Sequence, residues 1–178
     1  MDLEEKRISG QGVYAGMVIS VRVDTVTLPD GRKAKREVAE HSGGVAVLAL
    51  NDKDEVITVR QWRYPVGRAL LEIPAGKLNR GEDPKACGLR ELQEETGFSP
   101  ASFEPLGMIY PSPGYSDEIL YLYLARDLCF VGTNPDEDEF LSVERIPFIA
   151  LERMIASGEI TDAKTIAAAY RARLRRNG

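Results

Sequence analysis

Residues 70–98 read LLEIPAGKLNRGEDPKACGLRELQEETGF. The second half of this stretch predicts a helix with both ends marked. Asp83 can cap it, because its carboxylate can accept from the first unpaired backbone N–H groups. Pro84 suits the first helical position, where no N–H is needed. Gly97 is placed to close the helix in a left-handed conformation. Inside it, Glu91, Glu94 and Glu95 stand at i, i+3 and i+4, which gathers three carboxylates on one face and turns Leu89 and Leu92 toward the other.

A bare helix gains nothing from that arrangement. Like charges at this spacing cost roughly 0.2–0.5 kcal/mol per pair. The acids also lie in the last turns, where the helix dipole favours cations. A solvated acidic face is the plain reading of such a run. A hard divalent cation is the other reading, because Mg²⁺ takes oxygen ligands and keeps positions open for water and phosphate.

The full spacing favours the cation. Gly76, Glu82, Arg90-Glu91-Leu92, Glu94-Glu95, Gly97 and Phe98 fall in the pattern G-x5-E-x7-R-E-U-x-E-E-x-G-U, with U aliphatic or aromatic. This resembles the Nudix box, with every fixed position matched. The resemblance implies a loop–helix–loop that holds catalytic Mg²⁺ or Mn²⁺ and cleaves a nucleoside diphosphate linked to another group. It also implies the Nudix α/β/α sandwich.

Working outward, 178 residues suit one domain with a hydrophobic core. The chain is 43% apolar and 29% charged, which argues against disorder. A net charge of −5 gives no reason to expect nucleic-acid binding. No apolar run has membrane-spanning length, and the polar start MDLEEKRISGQG is unlike a signal peptide. Cys87 and Cys129 form no metal or redox motif and read as reduced, buried thiols of a cytoplasmic protein. The single histidine, His41, reads as a structural strand-end residue. Activating water would therefore fall to carboxylates and a metal.

Along the chain, 17–28 alternates, with Ile19, Val21 and Val23 on one face and Ser20, Arg22 and Asp24 on the other. Pro29-Asp30-Gly31 turns it, and a charged strand returns to about Val38. GGVAVLAL at 43–50 predicts a strand buried on both faces. Further strands are expected at 55–61, 70–73, 103–110 and 119–125, and another within 140–149. The stripe Leu120, Leu122, Leu124 is core. Helices are expected at 150–157 and from a cap at Thr161 or Asp162 to about Arg176. This is a mixed α/β (α+β) fold with a mixed sheet and an N-terminal β-hairpin or small sheet. Two regions are expected: 1–40, a dimer-forming strand region, and 41–178, the Nudix hydrolase domain.

More of the chain is similar to the ADP-ribose pyrophosphatase branch of that family: Arg60–Gly67 (RQWRYPVG), Leu71–Gly76 (LEIPAG), Ser112–Glu118 (SPGYSDE) and Asp162–Thr165 (DAKT). Carried over residue by residue, the resemblance makes Glu91 and Glu95 the main metal ligands, with Glu94 an additional one. The Ala75 carbonyl is a backbone ligand, and Glu82 an outer ligand through water. Arg90 braces the acids. Arg63 clamps the diphosphate and Glu72 meets a ribose hydroxyl or the metal shell. Pro113, Ser116, Asp117 and Glu118 border the substrate. The general base lies in the acidic run 135–139, where Glu139 matches one version of the family pattern and Glu137 another. In that branch a partner subunit's N-terminal aromatics often hold adenine, but the first forty residues here contain only Tyr14.

The expected function is Mg²⁺- or Mn²⁺-dependent hydrolysis of ADP-ribose to AMP and ribose 5-phosphate by a cytoplasmic homodimer. Hydrolysis of another nucleoside diphosphate sugar, or a non-catalytic ADP-ribose-sensing module, are the alternatives.

Overall fold

The computed structural model describes residues 2–134 and 140–176. It contains two compact units, Met1–Gly43 with Tyr110–Ile119, and Gly44–Ile109 with Leu120–Gly178.

The first unit is an antiparallel sheet of β1 (Lys6–Ala15), β2 (Ser20–Thr27) and β3 (Lys33–Glu40), in that order. The hairpin between β2 and β3 turns at the expected place, with Gly31 at φ +85° donating to the Leu28 carbonyl. The sequence reading lacks β1. Every residue of that strand is exposed, and its two glycines dilute any alternation, so burial leaves no period-two signal. The facing of β2 is also corrected. Asp24 was expected on the open polar face, yet it is buried beside Arg7 at 3.0 Å and Arg22 at 2.9 Å. These two guanidiniums permit the burial, and Arg22's hydrogen bond is the main reason the Asp24 carboxyl sits below its usual range. The 110–119 segment joins this unit through backbone bonds between Ala39 and both Tyr115 and Asp117.

The second unit is built on β4 (Gly44–Leu50), buried along its whole length as a continuous apolar run requires. β4 runs parallel to β9 (Leu120–Phe130) and antiparallel to β5 (Glu55–Arg63) and β7 (Ala75–Lys77). β5 also pairs with β6 (Arg68–Glu72) and β10 (Leu141–Pro147). β8 (Phe98–Ile109) closes the other edge against β9, giving the order β10-β5-β4-β9-β8. β8 begins directly after Gly97, earlier than expected, because Pro100 and Pro105 obscure its pattern. An edge strand tolerates both, and the register shifts between Pro105 and Gly107. β9 continues past Ala125 to Phe130, so Cys129 is exposed rather than buried, while Cys87 is buried as expected.

Helices cover both faces of this mixed sheet. α1 (Pro84–Thr96) packs Cys87 and Leu92 against Val45, Val47, Ala49 and Ile57. On the opposite face, α2 (Phe148–Ala156) and α3 (Ala163–Arg176) pack Phe148, Leu151, Ala168, Ala169 and Ala172 against Ala46, Leu48, Leu50 and Val56. The alternation along β4 is thus divided between two cores. Among the described residues, no helix is long and apolar enough to cross a membrane.

Candidate active site

The site is assembled where α1 meets the β6–β7 connection. α1 starts and stops as its sequence dictates. The Asp83 carboxylate accepts from the Ala86 N–H at 3.0 Å, Pro84 occupies the first turn, and Gly97, at φ +76°, donates to the Gln93 carbonyl. The acidic face that a bare helix would disfavour is braced by Arg90. Its guanidinium contacts Glu82 at 3.0 Å, Glu91 at 2.7 Å and Glu94 at 2.8 Å. Glu82 also accepts from the Asn79 N–H, which pins the loop before the helix. The hydrogen bond to Glu82 leads the effects that raise Arg90 above its usual range, and the same bond holds the Glu82 carboxyl low. Cys87 lies beside these acids. Burial first, and the charges of Glu82 and Glu91 next, push its thiol up to about 12, so it stays protonated and is no nucleophile.

Glu91 and Glu95 reach across to β7. The Ala75 N–H donates to Glu95 at 3.2 Å, and Glu95 is 2% exposed. The Glu91 carboxylate lies so near Gly76 that a Cβ there would come within 1.8 Å of its carboxyl carbon. The glycine is needed for space, and that space brings a carboxylate against the backbone. Among the described residues no three His, Cys, Asp or Glu side chains already enclose one point. The side chains gathered against this backbone are nevertheless carboxylates, whose hard oxygens suit Mg²⁺ or Mn²⁺ rather than zinc or copper. The residues therefore fit a hard divalent cation.

A second group lies behind β7. Glu72, at the end of β6, is 1% exposed. Arg63, at the end of β5, forks onto it, with Nε to one oxygen at 2.9 Å and Nη2 to the other at 2.8 Å. Lys164 also bonds Glu72, and bonds Asp162 at 3.0 Å. Burial alone would raise the Glu72 carboxyl; the bonds and charges of Arg63 and Lys164 together outweigh it and hold it below its usual value. Asp162 caps α3 by accepting from the N–H and hydroxyl of Thr165. The Thr165 hydroxyl in turn accepts from the Ile73 N–H at 3.0 Å, fixing the chain just before Pro74-Ala75-Gly76.

Lys164 and Thr165 are site residues to which the sequence reading gave no role. A signal for Lys164 was available: a lysine in the first turn of a helix stands at the wrong end of the dipole, so something else holds it there. Of the other expected site residues, Pro113, Ser116, Asp117 and Glu118 belong to the first unit. There Asp117 accepts from the His41 N–H at 2.9 Å, and Ser116 accepts from the Glu118 N–H at 3.2 Å. His41 closes the end of β3 by accepting from the Gly43 N–H at 3.0 Å. Glu137 and Glu139 lie outside the described residues.

Comparison with known proteins agrees with this geometry. Residues 40–169 match the family described as NUDIX domain. The chain is 42% identical over 165 residues to an ADP-ribose pyrophosphatase of Bacillus subtilis, covering 92% of this chain and 89% of that one. It is 40% identical over 167 residues to a methanol dehydrogenase activator of Bacillus methanolicus, covering 93% and 90%. A solved structure titled as an ADP compounds hydrolase superposes with a TM-score of 0.86 at 21% identity, covering 100% of this chain and 98% of that one, a likeness of fold.

Proposed function

The chain belongs to the NUDIX family, and from that premise we propose that it hydrolyses ADP-ribose to AMP and ribose 5-phosphate with Mg²⁺ or Mn²⁺. The observation that carries this reading is the convergence of Glu91 and Glu95 on the Ala75–Gly76 backbone. The likeness to an ADP-ribose pyrophosphatase along nearly the whole chain supports the substrate.

In this reading Glu91 and Glu95 hold the cation, with Glu94, the Ala75 carbonyl and, through water, Glu82. Bound there, a divalent cation would neutralise diphosphate charge and polarise the phosphoryl oxygens. The protein's own groups do the rest. Arg90 keeps Glu82, Glu91 and Glu94 together against their mutual repulsion. Arg63 offers the guanidinium edge that Glu72 does not use, Nη1 with the second N–H of Nη2, to a phosphate oxygen. Water attacks one phosphorus of the anhydride, the bridging P–O bond breaks, and each product leaves with a terminal phosphate. The water's proton is assigned, on sequence resemblance, to Glu139 or Glu137. Pro113, Ser116, Asp117 and Glu118 keep their substrate-binding role on the same ground.

The acting form is proposed to be a cytoplasmic homodimer joined through the N-terminal sheet, where Ile8, Val13, Tyr14 and Ile19 are 41–58% exposed. Sedimentation would test the dimer. The activity is tested by turnover of ADP-ribose and other nucleoside diphosphate sugars, with and without Mg²⁺. Metal-dependent formation of AMP from ADP-ribose is expected. Preference for another sugar nucleotide would replace the substrate, binding without turnover would identify a sensing module, and turnover surviving exhaustive chelation would exclude the metal.

A further inference from the structure

Four side chains of alternating charge form a continuous series, Arg63, Glu72, Lys164 and Asp162, with Glu72 the most buried. The Arg63 side chain is 37% exposed at the outer end, and Lys164 is buried within. Burying a lysine is costly unless its charge is paired for a reason. Lys164 shares with Arg63 the compensation of the buried Glu72 charge, yet Arg63 already gives that carboxylate two hydrogen bonds, so compensation is not all that Lys164 supplies. Lys164 is a second cation on the same oxygen, Oε2.

What Lys164 adds is orientation. The last torsion of a glutamate is broad and poorly fixed. Here Oε2 is gripped from two sides, by Arg63 Nη2 and by Lys164 Nζ, which stops the carboxylate from turning. A guanidinium forked onto a carboxylate lies in the plane of that carboxylate. Fixing Glu72 therefore fixes Arg63. Lys164 is itself anchored to Asp162, the cap of α3. Arg63 also feels the charge of Glu95, so it stands within electrostatic reach of the acids of α1.

We propose that Lys164 is a positioning residue for the diphosphate: it holds Glu72, and Glu72 turns the outer edge of Arg63 toward a substrate phosphate. This rests on the diphosphate reading above. The test is binding of the non-hydrolysable α,β-methylene analogue of ADP-ribose, measured calorimetrically with Mg²⁺. The proteins are the wild type, Lys164→Met, Arg63→Ala and the double variant. Arg63→Ala is expected to weaken binding about tenfold to a hundredfold, as for the loss of a charged hydrogen bond. Lys164→Met is expected to weaken it about tenfold when Arg63 is present and less than about twofold when it is absent, since residues acting in series are not additive. A merely structural role would give equal losses in both backgrounds. That result, or wild-type affinity in Lys164→Met, overturns the proposal. Should Lys164→Met not fold, Lys164→Gln also removes the charge and carries the same cycle. Failure of the wild type to bind the analogue overturns the diphosphate reading itself, and this proposal with it.

Discussion

Gly76→Ala separates the metal role of Glu91 from its structural one. An ideal Cβ at residue 76 would stand 1.8 Å from the Glu91 carboxyl carbon and 2.0 and 2.3 Å from its oxygens. Ordinary contact begins near 3.4 Å, so the carboxylate must withdraw by about 1.6 Å. It can do so, because it ends a flexible side chain, and residue 76 is not in the left-handed region that would strain alanine. Weakening the partly buried pair with Arg90, whose side chains are 33% and 13% exposed, costs about 1 kcal/mol. The loss of glycine freedom in the unfolded chain returns about 0.4–1 kcal/mol. Net stability without metal should therefore stay within about 1 kcal/mol of wild type. Ligation is less forgiving, because metal–oxygen distances tolerate only about 0.2 Å. A withdrawal eight times larger takes Glu91 out of direct contact. Loss of outer partners already costs about 10–100-fold in affinity, so on the order of 10²-fold or more is expected here. Urea unfolding in chelator gives the first quantity and calorimetric titration with Mn²⁺ the second. A folded variant that binds Mn²⁺ within twofold of wild type would refute the assignment of Glu91. A loss above about 3 kcal/mol in chelator would refute the claim that the carboxylate can move aside.

Two further outcomes are expected. Arg90→Leu leaves Glu82, Glu91 and Glu94 without their shared cation, so stability in chelator should fall by about 1–3 kcal/mol, or about 2–4 °C in Tm per kcal/mol at this size. Millimolar Mg²⁺ should recover part of that loss, because a bound cation stabilises the folded form; an unchanged Tm in chelator would count against the bracing role. The Glu72 carboxyl is held below its ordinary value of 4.5 in the folded chain, so at low pH the unfolded chain binds the extra proton. Its contribution is then present above about pH 4.5 and lost as pH falls through the lower folded value. Glu72→Gln should be less stable at neutral pH and lose less on acidification, and stability curves that stay parallel down the acid limb would exclude this linkage.

Much of the site could be read from residues close together in sequence. The limits of α1 follow from Asp83, Pro84 and Gly97 because capping acts within one turn. The common face of Glu91, Glu94 and Glu95 follows from helical period alone. β4 is legible because an unbroken apolar run has few places to go but a doubly covered strand. β1 is not, because a strand exposed on both faces carries no pattern of burial. Pro100 and Pro105 hid the start of β8, since proline is excluded from central strands and the sequence does not say which strand is an edge.

The remaining features depend on partners far away in the chain. Asp24 reads as an outward polar residue until β1 brings Arg7 beside it. Arg63 and Glu72 each suggest a ligand contact, and only the fold joins them to each other. Lys164 meets Glu72, and Thr165 meets Ile73, each across 92 residues, through the docking of α3 on the sheet at β4, β9 and β8. Caps, turns and helical faces are set by neighbours that the chain cannot separate, so sequence determines them. Burial of a charge is set by which distant groups arrive to pair with it, and that is decided only when the sheet and its helices close.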